Sequence, residues 1–223
     1  MHQILLDYGL YMIWGIALAE LIMTCILFKD HKQKRETAVL CMALIGIGLC
    51  YDAVILSIGG IILQPFLAVL SRVRFVAHGV LLPLNLALCA EAVPLYRKGR
   101  IACWVISALL MAAGGTAGFF RSADYAELGL IARFAPTGAD PSWVGIVNNA
   151  LTYGTVLIIA VFGIVIIIKQ KAPWFLLAAV SMFGFSALGP ATGNFDFIFL
   201  IGMFGELLML LFYLIHEKRQ IRG

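Results

Sequence analysis

Charge is what this chain has least of: Asp, Glu, Lys and Arg make up 13% of its 223 residues. A soluble domain carries about a quarter, so a surface that faces water throughout is excluded. Cysteine is present but unpatterned. None of the five (Cys25, Cys41, Cys50, Cys89, Cys103) forms a C-x-x-C pair, and all fall inside apolar runs. That argues against a disulfide framework or a thiol relay and leaves them as small buried residues. Histidine is scarce too. Of four, only His78 lies within an apolar run, since His2, His31 and His216 fall at the N-terminus, in a loop and in the tail. A multi-histidine zinc site and a bis-histidine haem therefore lack ligands. The last apolar run holds no lysine for a retinal Schiff base. Walker, dinucleotide-binding and EF-hand patterns are missing, as is G-x-S-x-G. No cofactor and no metal are expected.

What remains is apolar. Hydrophobic residues are 62% of the chain, and the mean hydropathy is +0.99. At about 20 residues per crossing, the runs predict an all-α integral membrane protein, a seven-transmembrane-helix bundle forming one polytopic domain over 1–223. The expected spans are 4–28, 38–58, 74–95, 101–120, 144–168, 173–188 and 194–215. The first run lacks a basic leader region and continues to Phe28, so it reads as a span and not a signal peptide. The ten-mer Ile61–Leu70 is too short to cross; it is either a partly embedded loop or an early extension of the third helix. Gly114 and Gly118 form a G-x-x-x-G pair suited to close helix approach. One long loop, 121–143, contains ADYAELGLIARF, which predicts a short amphipathic helix on the membrane surface.

The basic residues fall between the spans in alternation. Lys29–Arg35, Arg97–Arg100, Lys169–Lys171 and the C-terminal tail hold twelve of the sixteen Lys and Arg. The opposite side has only Arg72, Arg74, Arg121 and Arg133. By the positive-inside rule the N-terminus is outside and the C-terminus cytoplasmic, in a plasma (inner) membrane. This topogenic pattern accounts for the net charge of +4, so no nucleic-acid partner is expected; membrane lipids are.

The polar residues of the spans are the functional signal. In the third span Arg74, His78 and Asn85 fall within about 40° on one helical face. Lipid cannot solvate such a stripe, so it must face other helices or water. Asp52 in the second span is the natural partner of Arg74. Asn148 and Asn149 open the fifth span, Asn194 and Asp196 the seventh, and Glu206 lies near mid-depth. Glu20 and Glu91 lie deeper, with no obvious basic partner. Two readings are open. In one, these groups only tie helices together. In the other, Asp52, Arg74, His78, Asn85, Asn149 and Asp196 line an outward-facing pocket with Glu206 at its floor, for a small polar or amphiphilic ligand or a lipid headgroup. A transporter coupled through Glu206 or Glu20, and a structural subunit of a complex, are alternatives. So is an enzyme on an outer-leaflet lipid, with His78 as base, Asp52 orienting it and Arg74 clamping an anion.

Overall fold

The computed structural model describes residues 2–193 and 195–220, without the side chains of His2 and Gln220. Seven long helices carry the chain: α1 (His2–Lys34), α2 (Thr37–Ile58), α3 (Gln64–Ala92), α4 (Arg97–Phe119), α5 (Ser142–Gln170), α6 (Trp174–Ala191) and α7 (Ile198–Gln220). Each is long and apolar enough to cross a membrane, where only a helix or a closed barrel satisfies every backbone group internally. The outward faces agree: Leu109, Leu157 and Ile168 are 67%, 65% and 72% exposed. The all-α, seven-helix class is as the sequence predicts, and so is the multi-pass membrane character.

The helices pack mainly on their chain neighbours, with α3 also against α5, and α1 against α7 to close the bundle. Two apolar clusters fill the interior. One centres on Leu27, Leu88, Ile159, Phe175 and Tyr213; the other centres on Ile13, Leu56, Ile131 and Leu200. The tightest seam joins α3 and α4, where Gly79 and Gly114 lie backbone to backbone and a Cβ on either would collide with the other's carbonyl oxygen. Pro83 breaks the hydrogen-bond ladder of α3. At that level Ser107 Oγ donates to the Pro83 carbonyl (2.8 Å) and Thr155 Oγ1 to the Leu82 carbonyl (3.4 Å). These bonds tie α4 and α5 to the helix that carries Arg74.

At one end of the bundle, the basic end, α1 meets α7 through Lys34–Glu217 and through Lys218–Asp30 (2.6 Å). Gln170 donates to the Ala92 carbonyl (2.7 Å), linking α5 to α3 there. The four basic segments among the described residues therefore share one end.

Several expectations need correction. The predicted loop 121–143 holds no surface helix; its last two residues belong to α5. Instead β1 (Ala123–Leu128) pairs antiparallel with β2 (Ile131–Pro136). The cause is local: Gly129 adopts φ +58° in a two-residue turn, and Tyr125 faces Phe134 across the strands at 6.0 Å. Ile131 then buries its side chain against α1 and α7, so the hairpin is pinned to the bundle. Of the two forms expected for the ten-mer 61–70, the structure has the helix extension: after the end of a 3-10 turn, α3 begins at Gln64. The seventh helix continues to Gln220, so His216 is not in a tail: it is 3% exposed, with its ring 4.9 Å from that of Phe175. Asn194 lies outside the described residues. Glu91 does have partners, the Trp104 indole N–H at 2.8 Å and Arg100 at 3.6 Å, because α4 folds straight back along α3 after a four-residue turn.

Candidate functional site

A cavity of about 480 Å³ opens at the hairpin end, walled by α2, α3, β2, α5, α6 and α7. Its geometry begins with Phe75 on α3. The guanidinium carbons of Arg74 and Arg121 lie 4.9 and 5.4 Å from the centre of that ring. Arg133, from β2, lies 3.9 Å from the centre of the Phe199 ring on α7. An aromatic face attracts a guanidinium while leaving its N–H edge free to donate elsewhere. All three arginines line the cavity.

Their acidic complement is smaller. Asp52 Oδ1 takes Arg74 Nε at 3.0 Å, the pair the sequence predicts. Asp140 is held on the backbone N–H of Ser122 at 2.5 Å, beside Arg121 but off the cavity wall. Arg74 is 7% exposed, yet its Nη1 is buried with no hydrogen-bond acceptor among the described residues. Arg121 Nε is in the same position, and so is the Asn148 side-chain amide nitrogen. Burial lowers the pKa of Arg121 below the usual arginine range, with Asp140 opposing the shift and Arg74 adding to it. Burial likewise lowers that of Arg133, to about 10, with Arg74 adding to the effect. The wall thus carries three arginines against two carboxylates, Asp52 and Glu206, and the site holds buried donors that lack acceptors among the described residues.

The remaining predicted residues divide. His78, Asn149 and Glu206 line the cavity with Asp52 and Arg74. No hydrogen bond joins His78 to Asp52 among the described residues; Asp52 is committed to Arg74. Asn85 sits deeper, on a small adjoining void. Its side-chain oxygen accepts from the Tyr213 hydroxyl at 2.7 Å, and its amide donates to the Leu82 carbonyl at 3.1 Å. Asp196 is exposed in a 3-10 turn at the hairpin end and does not line the cavity. Glu20 is 1% exposed on α1, away from the cavity wall.

Sequence reasoning counted Arg121 and Arg133 only as outer-side charges and passed over Thr152, Thr155 and Ser186, which also line the cavity. Asn148, Thr152 and Thr155 follow i, i+4, i+7 spacing on an otherwise apolar helix, and that stripe was a readable signal. No protein-family model matches the chain, and no curated protein matches it either.

Proposed function

We propose that this is a membrane binding protein whose cavity at the hairpin end receives an anionic ligand, a phosphate or carboxylate group held among Arg74, Arg121 and Arg133. The observation that carries the reading is Arg74. Its Nε edge is neutralised by Asp52, while the residue lines the cavity and its Nη1 is buried without an acceptor among the described residues. A buried donor left unpaired costs about 1–3 kcal/mol, more when it is charged. A ligand oxygen removes that cost, so an acceptor-rich group is the chemistry the site favours. The gathering of basic residues at the other end supports, by the positive-inside rule, a cavity on the non-cytoplasmic side of the plasma membrane.

The binding reading has more support than the catalytic one, because a general base needs an orienting partner and His78 has no bond to Asp52. The test is mass spectrometry of intact protein released from native membrane, with lipid and metabolite analysis of what co-purifies, for wild type, Arg74→Gln and Arg133→Met. An acidic molecule retained by wild type and lost from both variants supports the reading. Identical spectra for all three overturn it.

A further inference from the structure

Resting on the anionic reading of this cavity, we infer that its ligand is an acidic lipid that enters sideways from the bilayer between α5 and α6. The two helices are held together at the basic end. Residues 171–173 connect them, and Gly163 lies so close that a Cβ there would sit 2.6 Å from the Leu176 backbone nitrogen. Eleven residues along α5 from Gly163 lies Thr152, about 16 Å away; ten along α6 from Leu176 lies Ser186, about 15 Å away. Thr152 and Ser186 are therefore level with each other. Both are exposed, and both line the cavity, so open space separates the helices there.

The hairpin narrows the alternative route, through the end of the bundle. Ile131 is buried against α1 and α7, and Arg133 beside it lies over Phe199. The α1–α7 side of that end is thus covered, whereas Pro136, Asn149 and Phe195, exposed on the cavity wall, leave part of it open alongside the flank between α5 and α6. That flank faces the same surroundings as Tyr153 and Phe183, apolar neighbours 70% and 63% exposed, which belong in lipid. A hydroxyl pair at the lips of a gap on such a surface lets a polar headgroup pass. Inside, the arginines take the head, and Val156, Ile159 and Met182 offer an apolar wall for the first part of a chain. A freely soluble anion would make no use of that wall.

The test compares phosphatidate, offered in phosphatidylcholine vesicles, with water-soluble glycerol 3-phosphate. Ser186→Trp and Thr152→Trp fill the gap, and Leu109→Trp, exposed on α4, serves as control. Wild type and Leu109→Trp are expected to retain phosphatidate, and each gap variant to lose about tenfold in affinity. Glycerol 3-phosphate should bind wild type at least about a hundredfold more weakly than phosphatidate. Equal binding of the two anions with no effect of the tryptophans refutes lateral passage and leaves the anionic pocket standing. No binding of either anion, with Arg74→Gln indistinguishable from wild type, removes the pocket reading itself. If the tryptophan variants do not fold, a fluorophore on Ser186→Cys decides. Brominated phosphatidate should quench it more strongly than brominated phosphatidylcholine, and equal quenching counts against the inference.

Discussion

Replacing Gly114 with alanine should destabilise the bundle and loosen the cavity at once. The added methyl on α4 would collide with the Gly79 carbonyl oxygen on α3 and lie 2.6 Å from Leu151 Cδ1 on α5. The first obstacle is backbone and cannot swing aside, so α3 and α4 must separate. Overpacking of this kind costs about 1–3 kcal/mol. Against it stands the intrinsic helix preference of alanine over glycine, about 1 kcal/mol in water. Gly154 on α5 isolates that opposing effect, because nothing lies within 4 Å of a Cβ built there. Gly154→Ala should therefore be neutral or stabilising, while Gly114→Ala loses stability. The assay is reversible unfolding of both variants in mixed micelles by titrated SDS, followed by tryptophan fluorescence. Equal stability of the two variants would refute the backbone-contact argument. Since α3 also carries Arg74 and His78, Gly114→Ala should weaken anion binding as well, and Gly154→Ala should not.

Other outcomes follow from the same geometry. Tyr213→Phe strands the buried Asn85 oxygen and should cost about 1–3 kcal/mol; Asn85→Leu combined with Tyr213→Phe should recover part of the loss in the same unfolding assay. Lys34→Met leaves Glu217, whose side chain is 3% exposed, without its cation. It should cost roughly 3 kcal/mol, more than Lys218→Met, whose side chain is 45% exposed and whose partner Asp30 is 8% exposed. Arg133→Met should stabilise the ligand-free protein while abolishing anion binding. The sign follows from the lowered pKa of Arg133: burial penalises the charged form, and that penalty is present throughout the range below about pH 10. Stability of the ligand-free wild type should accordingly rise as pH climbs through 10, and Arg133→Met should flatten that rise.

Much of this architecture is written in hydropathy. A run of twenty apolar residues has only one way to satisfy its backbone in lipid, so the spans were legible to within a few residues at most ends. The Asp52–Arg74 pair was legible for the same reason, since a lone charge in a span demands a neighbour. What escaped lies where local and tertiary effects compete. ADYAELGLIARF carries helix-forming residues, but Gly129 at positive φ and the anchoring of Ile131 between α1 and α7 turn it into a hairpin. That hairpin delivers Arg133 to the cavity, which no periodicity within the segment could reveal. Asn85 shares a helical face with Arg74, but the Pro83 break and the Tyr213 hydroxyl draw it into a deeper polar contact. Asp196 precedes the last helix in a 3-10 turn, which keeps it at the surface.

The most direct measurement is the affinity of phosphatidate for wild type, Arg74→Gln, Arg121→Gln and the charge-neutral pair Asp52→Asn/Arg74→Gln in lipid nanodiscs, with Arg97→Gln at the basic end as control. Hydrogen bonds to charged groups contribute about 1.5–3 kcal/mol, so each cavity variant should bind about ten- to a hundredfold more weakly, and Arg97→Gln should match wild type. Wild-type affinity in Arg74→Gln and in the charge-neutral pair would contradict the account, and the arginine cluster would then be a structural tie between helices.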